Sequence, residues 1–131
     1  MSATGWLSAE PLRIKKEDSI VILGNTFAER MQLFGYFEVF LHTRFPDHNL
    51  RVRNMGWSAD EVDQRIRPQG FPKLSAELKE HRADLLFLCF GFNESFQGAI
   101  GLDHYKAELG NFLKKLQAQK FNGESAPRIV L

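Results

Sequence analysis

Three short polar segments carry the residue types that chemistry needs: Gly24-Asn25-Thr26, Asn54-Met55-Gly56-Trp57-Ser58 and Gly91-Phe92-Asn93-Glu94-Ser95. Each follows a strand-like run and combines glycine with amide or hydroxyl side chains. Such segments suit the presentation of backbone N–H groups and side-chain donors. In open parallel sheets, sites form at the carboxyl ends of strands, in the loops that lead to helices.

The elements that must hold them follow from the pattern. Ser19-Ile20-Val21-Ile22-Leu23 is a continuous apolar, β-branched run, which predicts a strand buried on both faces. Phe27, Met31, Phe34, Leu41 and Phe45 recur at helical spacing, widened by Phe37 and Phe40. That stripe predicts one helix with a core-facing aromatic side, closed by Pro46. Leu50 to Asn54 is less apolar and predicts an edge strand. Ser58-Ala59-Asp60-Glu61 matches a capping box and predicts a short helix toward Ile66. Residues 68–73, with two prolines and Gly70, predict a loop, and Leu74 to Arg82 a helix. Leu85 to Phe90 is the most apolar run and predicts a central strand, Gly91 to Gly101 a polar, glycine-rich connection. Leu102, Tyr105, Leu109, Phe112, Leu113 and Leu116 mark an amphipathic helix, and Arg128 to Leu131 a fourth strand. Strands alternating with helices imply an α/β domain with a parallel sheet covered on both faces. The expected organisation is a polar lead-in over 1–18 and one domain over 19–131. Because the last run is an apolar strand with no turn or helix after it, that domain is expected to be incomplete at its C-terminal end.

Composition bounds the function. With 131 residues, 44% hydrophobic and 25% charged, the chain has the makings of one globular domain and not of a disordered one. A net charge of +1 gives no basic field to attract a nucleic acid. The lone Cys89 excludes an internal disulfide framework and a cysteine-rich zinc site. His42, His48, His81 and His104 are scattered without metal-ligand spacing, so no metal site is expected. No apolar run is long enough for a membrane span, and charges with Pro11 interrupt the N-terminus where a signal peptide needs an apolar stretch. A cytoplasmic location is the default expectation. The dinucleotide, P-loop and G-x-S-x-G signatures are all absent.

Taken in order, the three segments resemble the first three blocks of the SGNH (GDSL-type) hydrolases, which are esterases and acylhydrolases on a three-layer α/β/α flavodoxin-like sheet. Gly24-Asn25-Thr26 stands at the Gly-Asp-Ser block, Asn54-Met55-Gly56 at the oxyanion-hole glycine block, and Gly91-Phe92-Asn93-Glu94 at Gly-x-Asn-Asp. The Gly-Asn-Thr variant, followed by Ala28-Glu29-Arg30-Met31-Gln32, is similar to N-terminal modules of larger bacterial proteins that also carry a c-type haem module. The resemblance implies Thr26 at the nucleophile position and Gly56 and Asn93 as oxyanion donors. Gly24, Asn25, Asn54, Trp57, Gly91 and Glu94 would line the pocket. It implies a small acyl-ester or acylated-glycan substrate, no metal or organic cofactor, and further C-terminal domains as partners in a longer protein. The family's late Asp-x-x-His block, which supplies the base, has no counterpart here, since Asp47-His48 and Asp103-His104 are adjacent pairs.

Each residue also has a structural reading. Thr26-Phe27-Ala28-Glu29 is itself a capping box, so Thr26 could cap the first helix. Gly56 could serve a turn with positive φ, and Asn93 could satisfy loop backbone groups. Glu94 could be a solvated carboxylate, Trp57 a core plug or a pocket wall, and Cys89 a buried small hydrophobe. The functional expectation is therefore an ester hydrolase domain, a fragment or degenerate member of its class. The alternative is a non-catalytic binding module on the same fold.

Overall fold

The apolar run after Asp18 is buried along its whole length as β1 (Ser19–Gly24). The computed structural model describes residues 11–131 and sets this strand inside a four-stranded parallel sheet. Its partners are β2 (Arg51–Asn54), β3 (Leu85–Cys89) and β4 (Arg128–Val130), in the order β2-β1-β3-β4. Ile20 stands opposite Val52 on one side and Leu85 on the other, and Leu86 stands opposite Ile129. This is the order in which flavodoxin-like sheets begin, and its direction reverses between β1 and β3. The half-exposed β2 lies at the edge, as its weaker apolar pattern predicts.

Helices cover both faces. They are α1 (Thr26–Met31), α2 (Tyr36–Arg44), α3 (Leu74–Glu80) and α4 (Leu102–Gln117), with 3-10 turns at Pro46–His48 and Glu94–Gly101. Val21, Leu23, Leu86 and Leu88 point to one face and pack on Leu78 of α3 and Leu116 of α4. Ile20 and Leu85 point to the other and meet Leu41 of α2, with Phe37, Phe45 and Phe87 partly buried beside them. Each fully buried Leu or Ile of this set contributes about 1.5–3 kcal/mol through water removed from its surface. The strand starts are tied by Asp84, which accepts from the Ser19 N–H at 2.8 Å and from Asn122 Nδ2 at 2.7 Å.

The lead-in expected over 1–18 falls partly outside the described residues, which begin at 11. Within it, Ile14 packs against the core, and the buried Asp18 pairs with Arg128 of β4.

Three expectations about helices are corrected. The aromatic stripe does not form one helix, because the chain breaks over residues 32–35, where Gly35 takes φ +60°. The break takes the second half of the pattern out of register with the first, and Phe27, Phe34 and Phe40 are about two-thirds exposed rather than core. Phe37, Leu41 and Phe45 are the members that still reach the core on this face of the sheet. Ser58 to Ile66 forms turns, not a helix, because the Ser58 hydroxyl bonds the Glu29 carboxylate instead of capping. The cap of α1 is Asn25, whose Oδ1 accepts from the Phe27 N–H at 3.3 Å. Thr26 is one residue too late to fill that role.

Candidate functional site

The three segments gather at the carboxyl end of the sheet because the backbone ties them there. At Gly24 the strand passes so close to β3 that a Cβ would lie 2.4 Å from the Cys89 carbonyl oxygen. The Gly24 carbonyl then accepts from the Trp57 N–H at 3.0 Å, and the Ile22 carbonyl from the Met55 N–H at 2.8 Å. These two bonds strap the loop after β2 onto the end of β1.

Gly56 packs beneath the first turn of α1. A Cβ there would stand 2.5 Å from the Glu29 nitrogen and 2.6 Å from the Ala28 Cβ. Close approach, not positive φ, is what requires glycine at this position. Asn54 holds the contact from both sides: its Oδ1 accepts from the Gly56 N–H at 2.8 Å, and its Nδ2 donates to the Ala28 carbonyl at 2.7 Å. Gly56→Ala should therefore destabilise the protein by about 1–3 kcal/mol through overpacking. The urea unfolding midpoint measures this, and an unchanged midpoint would contradict the packing described.

Thr26 lies at the start of α1, half-buried. Its hydroxyl donates to Ser58 Oγ at 3.4 Å, and Ser58 in turn donates to Glu29 Oε2. A hydroxyl–hydroxyl–carboxylate chain thus runs from the loop after β1 through the loop after β2 and back to α1. The sequence places Ser58 in one of the three segments but gives it no role, and it does not point to Glu29, because a capping box accounts for each of them. The signal that could have found them is the shared apposition of those two loops at neighbouring strand ends.

Asn93 reaches a different partner, since its Nδ2 donates to the Asp60 carbonyl at 3.4 Å. Asp60 anchors the loop of residues 55–73. Its buried carboxylate accepts from Arg65 Nε at 3.2 Å and from both terminal nitrogens of Arg67 at 2.6 Å. The hydrogen bond to Asp60 raises the Arg67 pKa above its ordinary value. The Arg67 guanidinium also stacks over Trp57 at 4.5 Å. Trp57, edge-on to Phe71, is a wall of a cavity of about 290 Å³ and not a core plug.

Glu94 is not a solvated loop carboxylate. One oxygen accepts from the Val62 N–H and the other from the Gly91 N–H, each at 2.9 Å, which clamps the loop after β2 to the loop after β3. Gly91 lies under Tyr105, whose pKa is raised by burial and by the neighbouring Glu94 charge. Cys89 is half-buried rather than enclosed, and burial raises its thiol pKa.

No described histidine bonds Thr26. His104 pairs instead with Asp63 at 3.5 Å, across a contact that the adjacent Asp103-His104 spacing did not foretell. Among the described residues no group of His, Cys, Asp and Glu is arranged to hold a metal ion. No helix among them is long and apolar enough to cross a membrane.

Compared with known proteins, the chain matches no family profile. It also matches no curated protein. Among solved structures it is similar to a gut microbial diltiazem-metabolizing enzyme, with a TM-score of 0.57 and 20% identity. The match covers 89% of this chain and 27% of that enzyme, so the chain spans about a quarter of the enzyme's length. At this identity the likeness is one of fold: a parallel α/β sheet with flanking helices.

Proposed function

We propose that this chain is an ester hydrolase domain of the SGNH type, with Thr26 as nucleophile. The single observation that carries the reading is the hydrogen-bonded chain Thr26–Ser58–Glu29 at the carboxyl end of β1. It gives the threonine a route for its proton even though no histidine stands beside it. The fold shared with a diltiazem-metabolizing enzyme is compatible with a hydrolase.

In the reaction, Thr26 Oγ1 attacks the ester carbonyl carbon and passes its proton to Ser58, which passes its own to the Glu29 carboxylate. The carbonyl oxygen becomes an oxyanion, taken up by the Gly56 N–H and the Asn93 side-chain amide. The C–O bond to the alcohol breaks, and the leaving oxygen recovers the proton from Glu29 along the same route. Water, deprotonated by the same carboxylate, then adds to the acyl carbon; the bond from that carbon to Thr26 Oγ1 breaks, the acid leaves, and the proton returns from Glu29 through Ser58 to Thr26. A carboxylate is a weaker base than an imidazole, and threonine's methyl group crowds the approach, so turnover is slow. Asn54 and Trp57 line the cavity beside Gly56, whereas Asn25 lines a second cavity and Gly91 and Glu94 a third.

One observation favours a second reading, a binding module without turnover. The Gly56 N–H is engaged internally with Asn54 and would have to exchange that partner for an oxyanion, while the Asn93 amide spends one of its two hydrogens on the Asp60 carbonyl. Hydrolysis of p-nitrophenyl butyrate separates the two. Turnover that disappears in Thr26→Ala supports the hydrolase, whereas absence of turnover in the unaltered protein supports the binding module.

A further inference from the structure

Asp60 is one carboxylate serving two guanidinium groups. It accepts from both terminal nitrogens of Arg67 at 2.6 Å, but only from Nε of Arg65, at 3.2 Å. The Arg65 side chain is 17% exposed, and its terminal nitrogens make no hydrogen bond among the described residues. A guanidinium so far withdrawn from water calls for acceptors on those nitrogens. They are not sealed in the interior, and Arg65 lines the cavity of about 290 Å³ beside Gly56. Arg53 lines the same cavity, and the ion pairs among the described residues engage Arg51, Arg65, Arg67, His104 and Arg128 but not Arg53. All the walls belong to residues 29–77, at the edge of the sheet opposite β4.

Two guanidinium groups on one acid leave the Arg65–Asp60–Arg67 cluster with a surplus positive charge, and Arg53 adds a second on the same cavity. The planar fork of a guanidinium matches the two oxygens of a carboxylate. Trp57 and Phe71 give the cavity an apolar side that suits a few methylene groups. Glu29 and Glu77 line it as well, and their charges oppose a doubly charged phosphate. We infer that this cavity binds the carboxylate of a short dicarboxylic half-ester, with the terminal nitrogens of Arg65 as its fork and Arg53 as its second cation. That such half-esters are also the substrate class rests on the hydrolase reading, because Gly56 and Glu29 line the same cavity; the binding itself does not.

Monomethyl glutarate and dimethyl glutarate form the matched probe pair, alike in their ester and differing in the carboxylate. Trp57 lines the cavity, so its indole N–H signal, assigned by its loss in Trp57→Phe, reports occupancy by NMR. The half-ester should move that signal saturably, at a concentration at least about tenfold below the one the diester needs. Arg65→Met keeps a stem of similar length, leaves Asp60 with Arg67, and should cut the preference to less than about threefold. Should that variant fail to fold, Arg53→Gln, at an exposed position of β2, carries the test, and there the preference should fall at least about twofold. Saturable binding of the half-ester without turnover of p-nitrophenyl butyrate supports the inference and removes the hydrolase reading; turnover with equal affinity for the two glutarate esters does the reverse. A signal unmoved by the half-ester, or a preference unchanged in both arginine variants, would equally overturn the inference.

Discussion

Thr26→Ala is expected to lower p-nitrophenyl ester turnover by about a thousandfold while leaving stability within a few tenths of a kcal/mol of the starting protein. The expected loss follows from the proposed role of Thr26 as nucleophile, since enzymes stripped of theirs keep only what the oxyanion donors and substrate binding supply. The stability estimate follows from the corrected cap. Were Thr26 the N-cap, its loss would cost about 1 kcal/mol. Asn25 has that role, and the Thr26 hydroxyl makes one long bond to Ser58. Glu29→Gln should reproduce most of the activity loss, about 10²-fold or more, because it removes the carboxylate proposed to receive the proton. Thr26→Ser should move activity upward, since it keeps the hydroxyl and removes the crowding methyl. Full turnover in Glu29→Gln together with loss in Thr26→Ala would retain the nucleophile and discard the relay.

Asp60→Ala is expected to carry the largest stability cost on this side of the sheet, about 3 kcal/mol, or roughly 10 °C in Tm for a domain of this size. The Asp60 side chain is 1% exposed, while those of Arg65 and Arg67 are 17% and 13% exposed. Removing the acid leaves two guanidinium groups short of their shared acceptor in a poorly hydrated place. The Arg67 stack on Trp57 then loses its tether, and the 55–73 loop loses the hub that also holds Asn93 through the Asp60 carbonyl. Thermal unfolding followed by circular dichroism measures the effect. Pairing the change with Arg67→Met should recover part of the loss, because the uncompensated charge is then removed as well. A drop of less than about 1 kcal/mol would mean that the arginines regain water and that the loop is held by other contacts.

The strands were legible because burial on both faces leaves a direct mark: continuous β-branched and apolar runs at 19–23 and 85–90, against a weaker run at the edge. The helix of residues 102–117 was legible from its amphipathic spacing. The aromatic stripe misled because periodicity assumes an unbroken backbone, and Gly35 ends that assumption one turn after Met31. The two capping boxes misled for a related reason. A hydroxyl followed three residues later by a carboxylate reads as a local bond, but Ser58 and Glu29 satisfy each other across 29 residues, and Asn25 caps in place of Thr26. The strand-end segments of the site were readable as positions; their partners were not. Asn93 with Asp60, Glu94 with Val62 and Gly91, and His104 with Asp63 are contacts that the fold brings together from separate loops, and spacing along the chain does not encode them.

The central claim is that Thr26 is a nucleophile, and a fluorophosphonate probe tests it most directly, because the probe bonds covalently to an activated hydroxyl. After labelling and tryptic digestion, mass spectrometry should find the adduct on Thr26, in the peptide of residues 17–30, and find none there in Thr26→Ala. An adduct on Ser58 instead, or an unlabelled protein, would contradict the account.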